Sequence, residues 1–380
     1  MTIPKRILQV AAIDFQVRHF LLPLMRALRD RGHIVEVAAA DGSDLDPARA
    51  EGFPIHPVPF ARSLDLAAHF RAYRRLRELL RRERFDIVHG HYPVAGHIAR
   101  LAARAARVPE IVYTSHGYSF LKPGNPVVRA LMFGAEALAA RCQTTLFTQS
   151  SEEARVAERL HLAPRRGAIA IGNGVDPARF HPVRDEADRT DRARLRAEAG
   201  TPEDAVVLVI VSRLVAHKGH AELFAAAERL PAAHVWVVGE RLASDHGARL
   251  DAVIARARQT LGARLVLLGR RTDVERVLRA ADIFVLPSHF EGMPRTVAEA
   301  MMSGLPVVAT DIRGTREQVV EGETGHLVPV GDVAALAEAL APLVADATLR
   351  ARYGTAARVR AEALFDERAV IARQLEALGL

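Results

Sequence analysis

Two glutamates, Glu291 and Glu299, stand eight residues apart inside PSHFEGMPRTVAEAMMSGLPVVAT, the stretch from Pro287 to Thr310. Two bases, Arg213 and Lys218, stand five apart inside SRLVAHKG, from Ser212 to Gly219. A carboxylate accepts hydrogen bonds from sugar hydroxyls, while a guanidinium and an ammonium neutralise phosphate. Acids beside a phosphate would be repelled unless they hold hydroxyls. A diphosphate with a ribose at one end and a hexose at the other would use all four residues. Gly292 lets a ligand approach the backbone. The N–H groups of Met293, Arg295 and Thr296 would lie at the positive end of a following helix and favour a phosphate, whereas Pro294 has no N–H to add. The bland alternative is a buried strand–helix–strand unit with incidental acids.

These residues need strands to position them. Ile283–Pro287 and Pro306–Thr310 read as buried strands, with Pro294 opening the intervening helix and Gly304 closing it. The same alternation runs through the chain. Strands are expected at 6–12, 34–39, 55–57, 87–90, 111–115, 145–148 and 168–171. A second set is expected at 205–212, 234–239, 264–268, 283–287, 307–310 and 326–328, with helices between most of them. That pattern is α/β, two doubly wound parallel sheets with helices on both faces and ligands beyond the carboxyl ends of the strands. No G-x-G-x-x-G follows the first strand, which argues against a nicotinamide dehydrogenase.

The spacing E-x7-E resembles the signature of the family 4 glycosyltransferases, retaining enzymes of the GT-B fold. The likeness continues in DIRGTREQVVEGETGHLVP (311–329), in the R-x4-K pair Arg213/Lys218, in HGHYPVAGHIARLAAR (89–104), in VYTSHGYSF (112–120) and in GNGVDP (172–177). It covers nearly the whole chain. The resemblance implies two Rossmann-like domains facing each other across a cleft. An acceptor-binding domain would span 1–176 and a nucleotide-sugar donor-binding domain 177–364, with a terminal helix, 365–380, crossing back to the first. Gly172-Asn173-Gly174 reads as a hinge, and the charged run 181–204 as a linker with a short surface helix.

By that resemblance Arg213 and Lys218 hold the diphosphate, and Glu291 positions sugar hydroxyls. Glu299 holds the ribose, and Arg270 and Val274 border the nucleobase. His116, followed by Gly117, stands beside the donor sugar, where a hydrogen bond can meet the sugar or developing charge; a satisfied core histidine is the competing reading. His91 belongs to an H-x-H-x-P-x-A block on the acceptor side. After the first strand, where many family members carry glycines, this chain has Asp14, Phe15 and Gln16. That departure resembles a subgroup of bacterial polysaccharide transferases. It makes Asp14, Arg18 and His19 acceptor-side candidates, or residues that only cap and solvate the first helix. The acceptor hydroxyl would attack from the face the leaving group departs, with the phosphate taking the proton.

Composition narrows the classes. A chain of 380 residues, 49% of them hydrophobic, suits two domains with a core each. One cysteine, Cys142, excludes a disulfide framework and any cysteine-rich metal site. His89, His91 and His97 lack the carboxylates or cysteines that would complete a metal site, and Asp44-Leu45-Asp46 reads as a chance D-x-D in a loop. No metal or other cofactor is expected. No apolar run spans a bilayer, and the first residues read as a strand and not as a leader, so a cytoplasmic protein is expected. Residues 1–185 hold 27 Lys/Arg against 18 Asp/Glu, and the remainder 25 against 27, so the first half should meet something anionic. Residues 62–84 carry eight Arg and three acids on a helical pattern. They form an ordinary surface helix or a basic face for anionic lipid at the inner face of the cell membrane. A nucleic-acid site is disfavoured, since no aromatic platform interleaves the bases.

The expected activity is transfer of a sugar from a nucleotide-diphosphate sugar to a glycan hydroxyl. A UDP-sugar, an N-acetylhexosamine among the candidates, and a polyprenyl-diphosphate-linked or oligosaccharide acceptor follow from the subgroup likeness. A nucleotide-sugar epimerase of the same fold, a non-catalytic sugar- or lipid-binding module, and a transferase on a soluble small acceptor remain the alternatives.

Overall fold

The computed structural model describes residues 3–60, 65–241 and 248–380. It forms two compact units, Met1–Gly172 with Ile371–Leu380, and Asn173–Val370. Both are open parallel sheets.

Among the described residues the first unit has seven strands: β1 Arg6–Val10, β2 Ile34–Ala39, β3 Ile55–Pro57, β4 Ile87–His91, β5 Glu110–Ser115, β6 Thr145–Thr148 and β7 Ala168–Ala170. Their spatial order is β3-β2-β1-β4-β5-β6-β7, every pair parallel. Alternation along β1 sends Ile7 into the core on one face and Leu8 into the core on the other. Leu375 of the C-terminal helix Glu367–Leu378 joins the Ile7 side, 1% exposed.

The second unit has six: β8 Val206–Val211, β9 Ala233–Val238, β10 Leu265–Gly269, β11 Ile283–Leu286, β12 Val307–Thr310 and β13 Gly325–Val328. Their order is β10-β9-β8-β11-β12-β13, again all parallel. Covered on both faces, β8 (VVLVIV) and β11 (IFVL) are near-continuous apolar runs and almost wholly buried. All thirteen strands lie within a residue or two of where the apolar runs put them.

Four expectations change. Asp14, Phe15 and Gln16 do not form a loop: helix starts at Asp14 and continues through a π-helical turn, Val17–Leu21. Asp44-Leu45-Asp46 is likewise helical, crossing from a 3-10 turn, Ser43–Leu45, into the helix Asp46–Ala50. Pro294 lies just outside its helix, which runs Arg295–Met302. Residues 181–204 carry the expected short helix, but it packs on the core of the second unit and is not confined to the surface. Their helix, Glu186–Glu198, buries Leu195 and Arg196, whose guanidinium bonds the carbonyls of Ala280, Glu203 and Ala205 and the Asp282 carboxylate. Charged composition suggested solvent, but a guanidinium has enough donors to be satisfied inside. The basic helix runs Leu66–Glu83, capped by Asp65, and residues 62–64 lie outside the described residues. Among the described residues no helix is long and apolar enough to cross a membrane.

Candidate functional site

In the second unit β8 and β11 are neighbours, with Ile283 opposite Leu208. The loops that follow them therefore emerge side by side at the carboxyl edge. They are packed backbone to backbone. Gly219, at φ +77°, sits so close to β11's exit that a Cβ there would be 2.0 Å from the Pro287 carbonyl oxygen. The His289 N–H donates to the His217 carbonyl at 2.8 Å, and the His217 ring stacks on Phe290 at 4.5 Å. This clamp delivers Lys218 Nζ to 2.5 Å from Glu291 Oε1, both side chains largely withdrawn from water. Arg213 is exposed at the start of the same loop, its carbonyl 3.2 Å from His220 Nε2.

From Glu291 the chain passes Gly292 and Met293 into the helix Arg295–Met302. Two amide side chains fix the peptides there: Asn173 Nδ2 donates to the Met293 carbonyl at 3.2 Å, and Gln318 Nε2 to that of Pro294 at 3.1 Å. Gly292's carbonyl in turn abuts Gly314, where a Cβ would come within 2.0 Å of it. So the turn that presents the first helical N–H groups, Arg295 and Thr296 among them, is held in one orientation before a ligand arrives. Glu299 lies one turn in, its Oε1 3.1 Å from Arg295 Nε. Burial raises the Glu299 carboxyl above its ordinary value, against the pull of Arg295 and Arg179. Arg270 is exposed, 3.6 Å from Glu240, while Val274 begins the helix Val274–Ala280 and packs against the core. Of the two side chains only that of Arg270 is polar, so Val274 would make a polar base contact through its backbone alone.

In the first unit four polar side chains cross adjacent strands at the carboxyl edge. Gln9 on β1, His91 ending β4, His116 after β5 and Gln149 after β6 are joined in series. His91 Nε2 is 2.8 Å from Gln9 Oε1, His116 Nε2 is 3.5 Å from His91 Nδ1, and Gln149 Nε2 is 2.9 Å from His116 Nδ1. A single direction of donation satisfies the chain: each imidazole carries its proton on Nε2 and is neutral. Burial pushes His116 down to about 3 and lowers His91 well below its ordinary value. His91 is 2% exposed, so it reaches a ligand only through His116. The Tyr92 ring stacks on His116 at 3.9 Å and 7°. Tyr92 holds φ +61°, ψ 159°, a conformation L residues rarely enter.

The other first-unit candidates cluster after β1. Asp14 accepts from the N–H groups of Phe15 (2.9 Å) and Asp44 (3.3 Å), and Arg18 is 3.2 Å from Asp44. His19 lies against Phe15, ring centroids 4.3 Å apart. Asp44 and Asp46 of the D-x-D are engaged by Arg18 and Arg49. Among the described residues no group of three or more His, Cys, Asp or Glu is placed to hold a metal ion.

Sequence reasoning missed Asn173, Gln318, Gln9, Gln149 and Tyr92. Asn173 and Gln318 stand in the quoted blocks GNGVDP and DIRGTREQ, and Tyr92 in HGHYP. Gln9 and Gln149 carried no signal, because nothing in a strand's apolar pattern says which polar residue faces a histidine of the neighbouring strand.

Residues 17–174 match the family described as "Glycosyl transferase 4-like domain", and residues 191–360 that described as "Glycosyl transferases group 1". EpsD of Bacillus subtilis (strain 168), which carries a glycosyltransferase name, is 32% identical over 96% of this chain and 94% of its own. The Escherichia coli UDP-Gal:alpha-D-GlcNAc-diphosphoundecaprenol alpha-1,3-galactosyltransferase is 30% identical over 76% of this chain and 74% of its own. Among solved structures, Anabaena Alr3699/HepE in complex with UDP and glucose superposes with a TM-score of 0.82 at 21% identity, covering 99% of both chains; that likeness is one of fold.

Proposed function

This chain belongs to the family 4 glycosyltransferases of the GT-B fold, and we propose that it moves a sugar, with retention and without a metal, from a UDP-sugar to a glycan hydroxyl on a polyprenyl-diphosphate carrier. The observation that carries the donor half is the clamp of two loops that sets Lys218 2.5 Å from Glu291 at the mouth of a latched helix N-terminus. The lipid-linked acceptor is supported by the name of the Escherichia coli relative.

In this reading Arg213 and Lys218 take the diphosphate, with the N–H groups of Arg295, Thr296 and Met293 and the close backbone of Gly292 completing its cradle. Negative charge grows on the leaving phosphate as the glycosidic bond breaks. Fixed cations and helix N–H groups stabilise that charge more in the transition state than before it, which is the part a metal would otherwise play. Glu291 orients sugar hydroxyls once the diphosphate has drawn Lys218 away. Glu299 holds the ribose, Arg270 and Val274 border the base, and His116 is the catalytic candidate of the first unit, its Nε2–H turning from the long 3.5 Å contact with His91 to the ligand. Asp14, Arg18 and His19 are the acceptor-side candidates, with His91 behind His116. The acceptor hydroxyl attacks the anomeric carbon from the face the leaving group departs, and its proton passes to the departing phosphate.

The test is thermal stability against a panel of nucleotides and nucleotide sugars. A ligand held at about a hundred times its dissociation constant stabilises the fold by about 2.7 kcal/mol. UDP compounds should raise the melting temperature of the wild type and raise those of Arg213→Ala and Lys218→Ala clearly less. No shift with any nucleotide up to millimolar concentration overturns the reading. A product formed from the sugar nucleotide with no acceptor present would favour the epimerase instead.

A further inference from the structure

The helix Pro126–Ala140, PVVRALMFGAEALAA, turns an apolar face to water. Val127 is 65% exposed, Leu131 69% and Leu138 55%, with Val128 and Met132 exposed beside them. These positions follow the three- and four-residue steps of one helix face. Single exposed leucines are ordinary, whereas five large apolar side chains on one surface mark a contact. The helix cannot roll to hide them, because its other side is tied down by charge. Buried Glu136 bonds Arg100 and His97, each at 2.8 Å.

The charge pattern identifies the occupant. Between Glu110 and Glu152 the sequence holds one acid, Glu136, and it is the buried one. Lys122, Arg129 and Arg141 in that span are all exposed. Arg129 stands seven residues before Glu136, on its side of the helix, and bonds the Phe120 carbonyl at 2.9 Å; beyond it and Pro126 the exposed positions 127, 128, 130–132, 134, 135 and 138 present Val, Val, Ala, Leu, Met, Gly, Ala and Leu, with no side-chain N–H or O–H among them. A protein partner is recognised through directional polar groups as well as apolar area; this face supplies none. The helix Leu66–Glu83 repeats the composition, with Leu66 79% and Phe70 60% exposed beside exposed Arg71, Arg74 and Arg75. Both helices pack against the helix Pro93–Ala106 between them, and both follow strands of one parallel sheet, so their first turns lie at the same carboxyl edge.

We propose that this edge of the first unit seats on an anionic lipid bilayer. The helix Pro126–Ala140 lies in the interface with Val127, Val128 and Leu131 in the acyl boundary, and the lysine and arginines meet headgroup phosphates. The sequence offered lipid contact only for the basic helix, as one of two readings; the apolar helix is the part that enters. This inference stands on surface chemistry and not on the lipid-linked acceptor.

Full-length protein is floated with vesicles of phosphatidylglycerol and phosphatidylethanolamine, and separately with phosphatidylcholine alone, at low and high salt. The wild type should float with the anionic vesicles. The double variant Val127→Ser/Leu131→Ser should lose at least tenfold in partition while its melting temperature holds. Arg71→Gln/Arg74→Gln should lose mainly the salt-sensitive part. A wild type that stays at the bottom with anionic vesicles overturns the proposal, as does a serine double variant that floats equally well. A wild-type dimer that the serine substitutions split, with no flotation, would assign the face to a second copy and overturn it too. Flotation needs no nucleotide, so its failure and that of the nucleotide experiment are read separately.

Discussion

Lys218 Nζ stands 2.5 Å from Glu291 Oε1, so each residue answers the charge of the other before any ligand is present. One belongs to the loop after β8 and the other to the loop after β11, 73 residues apart in sequence. A diphosphate arriving here competes with a carboxylate for the same ammonium. Glu291→Gln removes the competitor and keeps the shape. It should bind UDP as tightly as the wild type or more tightly, yet transfer sugar far more slowly. Lys218→Ala should weaken UDP by about tenfold or more, the scale of one charge-assisted hydrogen bond. Calorimetric titration of both variants decides it: weaker UDP binding by Glu291→Gln would mean that the carboxylate supports the phosphate site and does not oppose it.

The hydrogen-bond direction along Gln9, His91, His116 and Gln149 is open to test at its last link, where Gln149 Nε2 donates to His116 Nδ1 at 2.9 Å. Gln149→Glu replaces that donor by a carboxylate of the same length. The His116 proton should move to Nδ1 and its pKa should climb from about 3, because a negative partner favours the imidazolium. Nitrogen chemical shifts of a labelled imidazole report both changes. A wild-type spectrum with the proton on Nδ1 at neutral pH would refute the assigned direction, and a variant that keeps the Nε2–H form would refute the contact itself.

Much of this arrangement could be read in the sequence, and the reason is physical. Strands buried on both faces must be apolar throughout, so VVLVIV and IFVL announced themselves. Glycines that permit backbone contact, such as Gly219 and Gly314, stood inside quoted blocks. What escaped was pairing. Glu291 and Lys218 were assigned separate roles, because a list of residues does not say that two loops are clamped together. Asn173 was read as part of a hinge; its amide in fact bonds the Met293 carbonyl, a polar contact with no periodic trace. Arg196 lies in the charged run 181–204 and is 1% exposed, a burial that a composition of charges does not announce.

Gly219 and Gly200 separate close approach from backbone strain. Both have positive φ, +77° and +62°. At Gly200 a Cβ meets nothing within 4 Å, so Gly200→Ala should cost only the left-handed penalty, about 1–2 kcal/mol. At Gly219 the Cβ would collide with the Pro287 carbonyl, so the loop must shift as well. Gly219→Ala should be the more destabilising of the two by denaturant titration and should weaken nucleotide binding, since Lys218 moves with the loop. Equal losses in both would remove the argument that this contact sets the clamp.

Stability should fall in acid, starting near neutrality. His89 and His91 are at most 2% exposed, and burial lowers both pKa values, His89 to about 3. The unfolded chain takes up protons on them below about pH 6.5 while the folded chain does not, so protonation favours unfolding. The stabilisation is whole above pH 6.5 and drains away as pH falls toward 3. Each such histidine contributes a slope of about 1.4 kcal/mol per pH unit once the unfolded form is fully protonated. Unfolding midpoints measured from pH 7.5 to 4.5 should show it, and His89→Asn should flatten the curve. A wild-type profile level over that range would mean that the buried rings take up protons in place.

Arg100 and Glu136 give the largest expected loss. Arg100 is fully buried, its guanidinium 2.8 Å from Glu136 and 2.7 Å from Gln143 Oε1, and 3.8 Å above the Tyr113 ring. The pair holds the Glu136 carboxyl down at about 2, with His97 assisting. Glu136→Gln keeps the volume but leaves a buried guanidinium without its counter-charge, which costs about 3–5 kcal/mol. Replacing the two together, Arg100→Met with Glu136→Gln, removes the stranded charge, so the double variant should be more stable than Glu136→Gln alone. Denaturant midpoints of the wild type, of Arg100→Met and Glu136→Gln singly and of the double variant close the cycle. If the double variant is the least stable, the arginine is held by its aromatic and amide contacts, and the carboxylate is only an accessory to them.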